Sequence, residues 1–242
     1  MRYVMSDLHG EYDLFLRLMK EIHFSEVDEL YICGDVIEKG RDSVKLLKLL
    51  LSLPNVHMIM GNHEDSFIQH YNYLMRARND GFDDVLADLR SVISGGGGDG
   101  HLLDWDTVDA IEELPYYIET DDFICIHAGV TLDEFDRVPP MNTVSSLELT
   151  SNRRFKSADV IPKDSKCVFF GHSATSTVCG EDRIIVYVRQ GTEGKSIKDI
   201  AKVHLDTCTF ISGILGCFCV DTCETTYVKR ADDSAFHGSV IM

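Results

Sequence analysis

The sequence predicts an α/β fold of two stacked sheets flanked by helices, on three observations. Its first third alternates strand-like and helix-like segments, which specifies parallel strands with right-handed crossovers. Its second half is dominated by short strands. Chemically active residues follow one strand after another, and in an open α/β sheet the loops at the carboxyl ends of strands converge on one edge.

Apolar runs at Arg2 to Ser6, Leu30 to Cys33 and Val56 to Met60 read as the first strands. Leu14, Phe15, Leu18, Met19 and Ile22 recur at helical spacing within Tyr12 to Ile22, as do Val44, Leu46, Leu47, Leu50 and Leu51 within Ser43 to Leu51. Ser66 to Arg76 is a third amphipathic stretch, and Phe82 to Val92 and Asp104 to Glu113 read as helices around the glycine-rich 94–100, with Leu114-Pro115 ending the last of them. Strands then follow at Phe123 to His127, Lys166 to Gly171, Ile184 to Val188, Asp199 to Asp206, Ile214 to Val220 and Thr225 to Lys229. The last two flank Asp221-Thr222-Cys223-Glu224, a tight hairpin. No repeat, heptad or linker divides the chain, so residues 1–242 are expected to form a single domain.

The net charge of −17, from 23 basic and 40 acidic residues, excludes the basic footprint that nucleic-acid binding requires. It leaves room for an anionic substrate, because bound cations reverse a local field. No apolar run approaches the roughly 18 residues of a membrane span, and no leader pattern precedes the first strand. Eight scattered cysteines, several inside apolar strands, behave as small buried hydrophobes. A cytoplasmic location with free thiols is the expectation.

The strand ends carry Asp7-Leu8-His9, the loop Gly34 to Gly40, Gly61-Asn62-His63-Glu64, and the later histidines His127 and His172. A two-metal hydrolytic site needs cations about 3.5–4 Å apart, a bridging carboxylate and an activated water. Asp35 suits the bridge. Asp7 and His9, two apart at a strand end, can chelate one ion; Asn62, His127 and His172 offer an amide oxygen and imidazoles to the second. Hard oxygens with imidazole nitrogens suit Mn²⁺, or Fe or Zn²⁺, better than Ca²⁺. Taken singly, Asp7, Asp35 and Asn62 would read as turn or cap residues; their ordered set makes them ligands. The remaining histidines, His23, His57, His70, His101, His204 and His237, lack such a context and read as structural.

These motifs resemble those of the calcineurin-like metallophosphoesterase superfamily, and within it the serine/threonine phosphoprotein phosphatases of short bacterial and phage type. The pattern D-x-H-G, G-D-x-x-D-R-G, G-N-H-E, H-A-G, G-H runs in order over about residues 1 to 175. The resemblance implies a four-layered α-β-β-α sandwich of two mixed sheets. It implies one metal on Asp7, His9 and Asp35 and another on Asp35, Asn62, His127 and His172, with a hydroxide bridging them attacking phosphorus in line. It further implies that His63 is the general acid, oriented by Glu38, and that Lys39, Arg153 and Asn62 contact the phosphate, Arg154 being the alternative to Arg153. Ala174 stands where many phosphodiesterases of the superfamily carry a further histidine ligand.

Three positions depart from the pattern. Glu38 replaces the aspartate of D-R-G, Lys39 its arginine, and Met60 the arginine common before G-N-H. Lysine lacks the bidentate fork of arginine, so phosphate affinity is expected to be lower, with Arg41 as a compensating cation. Other features are decoys. Gly95 to Gly98 is followed by no Lys-Ser/Thr, Gly194-Lys195-Ser196 lacks the first glycine of a P-loop, and Cys217, Cys219 and Cys223 lack a C-x-x-C pair.

The sequence therefore predicts a metal-dependent phosphomonoesterase, of protein phosphatase type, acting on a phosphorylated protein or a small phosphate ester, with no obligate partner inferable from it. One alternative is a nucleotide hydrolase resembling the symmetrical diadenosine tetraphosphate hydrolases. Another is a non-catalytic module that binds metal or phosphoprotein.

Overall fold

The computed structural model describes residues 1–77, 82–93, 98–230, 235–237 and 240–241. In chain order the elements of the first half are β1 (Arg2–Met5), α1 (Tyr12–Glu21), β2 (Glu29–Ile32), α2 (Ser43–Leu51), β3 (Val56–Met58), α3 (Asn62–Ala77), α4 (Phe82–Ile93) and α5 (Trp105–Glu112). They are followed by β4 (Tyr117–Glu119), β5 (Phe123–Ile126), α6 (Ser146–Ser151), β6 (Cys167–Phe170), α7 (Ser176–Cys179), β7 (Ile185–Val188) and β8 (Ile200–His204). The last are α8 (Thr209–Ser212), β9 (Ile214–Cys219), β10 (Thr225–Lys229), β11 (Ala235–His237) and β12 (Val240–Ile241).

Two mixed sheets result, ordered β11-β10-β9-β1-β2-β3 and β12-β7-β8-β6-β5-β4. β1, β2 and β3 are parallel, as the alternation of strand and helix predicts, and β9 pairs antiparallel with β1 on its other side. The predicted hairpin joins β9 to β10; Cys219 donates its N–H to the Glu224 carbonyl, and Cys223 takes a φ of 59° to close the turn.

Strand alternation sorts the core. Val4, Cys33, Phe123, Cys125, Cys167, Phe169, Val203 and Phe218 meet between the sheets. Met5, Leu30 and Ile32 face the other way, against the buried stripes of α1 to α5. Ile124, Ile126, Val168 and Phe170 cover the outer face of the second sheet, beneath Val130, Met141, Leu149 and Phe155. The four layers are thus unequal. The first sheet carries five helices of 8 to 16 residues, whereas the second is covered by the six-residue α6 and by loop. Loop suffices there because a few large side chains, Phe155 above all, fill the space.

Three local differences separate sequence from structure. β4 lies antiparallel to β5, where the sequence showed only the helix stop Leu114-Pro115. β11 and β12, at the outer ends of their sheets, had no alternation to mark them. α3 starts at Asn62, not Ser66, so G-N-H-E forms its first turn. Of the glycine-rich run, residues 94–97 lie outside the described residues.

Candidate metal centre

The loops after β1, β2, β3, β5 and β6 converge on one edge of the sandwich, and the sharp turns they need are visible in the backbone. Asp7, His9, Asp35, Glu38, Lys39 and His172 all have φ between 44° and 67°, a region that costs non-glycine residues energy and that clusters at functional sites. The glycines beside them serve close approach. A Cβ on Gly61 would lie 2.2 Å from Asp35 Oδ1, and one on Gly171 would lie 2.1 Å from Asp7 Oδ2.

Asp35 is common to two groups of converging donors: one with His9 and His63, the other with Asp7 and His127. All but His63 are buried. Asn62 Oδ1 lies 2.9 Å from His127 Nε2 and 2.6 Å from His172 Nδ1, bringing the remaining two ligand candidates to His127. Backbone carbonyls set the tautomers. His9 Nδ1 is 3.1 Å from the Ile37 carbonyl and His127 Nδ1 is 2.7 Å from that of Cys33, so as donors they leave the Nε2 lone pairs facing the centre. All six sequence-predicted ligands are therefore gathered. Around Asp35, one set of converging donors adds Asp7 and His127, the other His9 and His63.

The electrostatics suit cations. Burial lifts the Asp7 and Asp35 carboxyls to about 6. Burial, then the neighbouring Lys39 charge, takes His9 down to about 3; burial, His127 and Arg153 do the same for His172. Neutral imidazoles beside crowded carboxylates are a donor set for a divalent ion. The Nε2 of His172 is buried with no hydrogen-bond partner among the described residues.

On one flank His63 Nδ1 is 2.5 Å from Glu38 Oε2 and its Nε2 is 3.8 Å from Asp35 Oδ2. The extra methylene of Glu38 is accommodated, and the carboxylate reaches the ring. Burial depresses the His63 pKa, but the Glu38 hydrogen bond and the Asp35 charge outweigh it and the net shift is upward.

The cations divide. Lys39 turns into the centre, its Nζ 2.6 Å from His9 Nε2. Arg153 is exposed and near enough to depress His172. Arg154 instead lines a cavity of about 340 Å³ with Val130, Asp133 and Asp159. Arg41 lines another of about 670 Å³ with Tyr12, Arg17 and Arg230. Met60, where the motif commonly has an arginine, is 2% exposed and its N–H bonds to the Pro115 carbonyl. The position therefore brings no charge to the centre.

Sequence reasoning missed Glu64. Fully buried, its carboxylate accepts the N–H groups of Asp35, Val36, Ile37 and Gly61 at 2.8 to 3.1 Å. It ties the β2 loop to the start of α3, and membership of G-N-H-E was the only signal available.

A two-sheet sandwich with a buried carboxylate shared by two donor groups at its strand-end edge defines a metallophosphoesterase. The chain belongs to the calcineurin-like phosphoesterases, whose family profile matches residues 3–199; the family uses divalent metals. A symmetrical bis(5'-nucleosyl)-tetraphosphatase of Buchnera aphidicola subsp. Schizaphis graminum is 28% identical over 131 residues, 53% of this chain and 44% of that one. The match thus spans about half of the present chain and less than half of that relative. A candidate diadenosine tetraphosphatase superposes with a TM-score of 0.61 at 15% identity, covering 99% of this chain and 93% of that one. A mutant cold-active protein tyrosine phosphatase gives 0.57 at 15%, covering 98% and 79%. These two show the shared fold. Among the described residues no helix is long and apolar enough to cross a membrane.

Proposed function

We propose that the protein is a hydrolase dependent on two divalent metals that cleaves dinucleoside polyphosphates, the substrate class named for its curated relatives. The observation that carries the chemistry is Asp35, shared by two donor groups, with His63 held by Glu38 beside it. Asp7, His9, Asp35, Asn62, His127 and His172 would hold the metals, and the oxygen and imidazole set favours Mn²⁺, with Fe or Zn²⁺ as alternatives. When bound, such a pair supplies an activated water and neutralises phosphate charge.

The residues of the chain do the rest. Lys39 and Arg153 orient the anion, and Asn62 places an amide against it. Water adds at a phosphorus, the P–O–P bond breaks, and the departing nucleoside diphosphate takes its proton from His63 Nε2. Glu38 holds that ring on Nδ1 and favours its charged form.

A second reading, phosphomonoester hydrolysis, is favoured by the same His63–Glu38 pair. A serine or threonine alkoxide is a far poorer leaving group than a nucleoside diphosphate and depends much more on a general acid. The test is to incubate Mn²⁺-loaded protein with diadenosine tetraphosphate, a phosphopeptide and an aryl phosphate, beside His63→Asn. Preferred turnover of the tetraphosphate supports the proposal. Preferred turnover of the phosphopeptide replaces it with the monoesterase, and activity toward none overturns both.

A further inference from the structure

We propose that Lys202 and Tyr187 are positioning residues for Arg153: together they grip three successive carbonyls of the loop behind that arginine and hold its guanidinium at the metal centre. The inference rests on reading that centre as a phosphate-hydrolysing site.

Lys202 lies on β8, in register with Tyr187 of β7 and Val168 of β6. Residues in register share a face of the sheet, and here it is the outer face that the loop covers. Lys202 has no exposed surface. Its Nζ donates to the carbonyls of Phe155 at 2.5 Å and Ser157 at 2.8 Å. Tyr187 Oη donates to the carbonyl between them, that of Lys156, at 3.1 Å. Three consecutive loop carbonyls are thus satisfied by two sheet side chains. Upstream, Asn152 Oδ1 accepts the N–H groups of Arg154 at 2.9 Å and Phe155 at 3.1 Å. Arg153 sits between these anchors. It is exposed, has no ion pair or hydrogen bond among the described residues, and its charge reaches His172.

The same loop is also locked against the loop that carries His127. Phe155 is fully buried and packs so tightly on Gly129 that a Cβ there would come within 2.2 Å of it. Gly129 takes a φ of 153°, which suits it to that approach.

A lysine is a costly choice for this place. Among the described residues no carboxylate pairs with its ammonium; it is offset by two carbonyls and by the rings of Tyr187, Phe155 and Phe170 at 4.4, 4.9 and 5.6 Å. Burial pulls its pKa to about 7. Leucine or methionine would fill the space without that penalty. What they cannot do is hold two carbonyls, which even the neutral amine does with its two N–H bonds. Loop placement, not core stability, accounts for the residue.

The test uses the Mn²⁺-loaded full chain and the variants Arg153→Ala, Lys202→Met, Tyr187→Phe and the double variant Lys202→Met/Arg153→Ala. KM and kcat are measured on the substrate preferred above, and the Kd of orthophosphate by calorimetry. Arg153→Ala is expected to raise KM and the orthophosphate Kd about tenfold, as for one charge-assisted contact. Lys202→Met should raise both severalfold with kcat falling far less, and Tyr187→Phe should follow in the same direction to a smaller extent. The double variant should be no weaker than Arg153→Ala alone, because both act through one contact.

Wild-type values in Lys202→Met, or additive effects in the double variant, overturn the proposal. If Lys202→Met does not fold, Tyr187→Phe decides by the same criterion. A wild-type protein that turns over nothing overturns the functional reading, while weaker orthophosphate binding in Lys202→Met would still support the clamp. A wild-type protein that does not bind orthophosphate overturns both.

Discussion

The buried carboxylate of Glu64 accepts the backbone N–H of Asp35 at 2.9 Å, across 29 residues of chain. The residue shared by both donor groups is thus positioned by a group with no exposed surface. The other contacts of Glu64, to Val36, Ile37 and Gly61, fix the same loop.

Glu64→Gln should be strongly destabilising. An amide N–H₂ would replace one oxygen and confront donors with donors, leaving buried N–H groups unpaired at about 1–3 kcal/mol each. Urea unfolding should show a loss of at least about 2 kcal/mol, together with weakened Mn²⁺ retention. Wild-type stability would show that the loop is held by other means.

Asp35→Asn should abolish retention of both metals, because both donor groups lose the same carboxylate, whereas Asp7→Asn should spare one of them. Metal content after gel filtration distinguishes the two. Two ions retained by Asp35→Asn would contradict a shared ligand.

His63→Asn should lower kcat by about 10²–10⁴ on a phosphopeptide, the range of general acid catalysis. The loss should be much smaller on an aryl phosphate, whose phenolate departs unaided. Equal losses on both would mean that His63 contributes something other than a proton.

The pH profile should depend on Glu38. Its hydrogen bond raises the His63 pKa against the opposing effect of burial. Activity needs the protonated ring and falls as pH rises through that pKa. Glu38→Gln removes the upward shift, so the basic limb of kcat/KM should move to lower pH, and an unmoved limb would assign it to another group.

Asp104 caps α5, accepting the N–H of Thr107 at 3.0 Å, and pairs with Lys48. Asp104→Ala should cost about 1 kcal/mol, the usual value of such a cap. The Lys48 and Thr107 hydrogen bonds depress the Asp104 pKa to about 2. Its contribution is therefore full above the ordinary carboxyl value and fades as pH falls from about 4 toward 2. Denaturation of the pair at pH 6 and pH 3 should show the difference shrinking.

Much of this was legible in the sequence, for a physical reason. Strand-end loops must converge, so an ordered series of Asp, His and Asn after apolar runs announces a site. Periodicity misplaced the start of α3 because only its buried side chains, such as Phe67 and Ile68, repeat; the polar first turn, Asn62 and His63, points to the centre instead. Lys202 was invisible because a lysine within a strand reads as a solvent-facing residue, and only the loop folded over it makes it an internal donor.

The pairing of β1 with β9 bears on how the chain is made. Tyr3 finds its partner in Cys219, so the strand that delivers Asp7 and His9 lacks one neighbour until β9 has left the ribosome. At about 5–20 residues per second, that strand keeps an open hydrogen-bonding edge for ten seconds or more during translation. Such long-range closure makes folding slow. It leaves the nascent chain exposed to mispairing with other strands until β9 closes that edge.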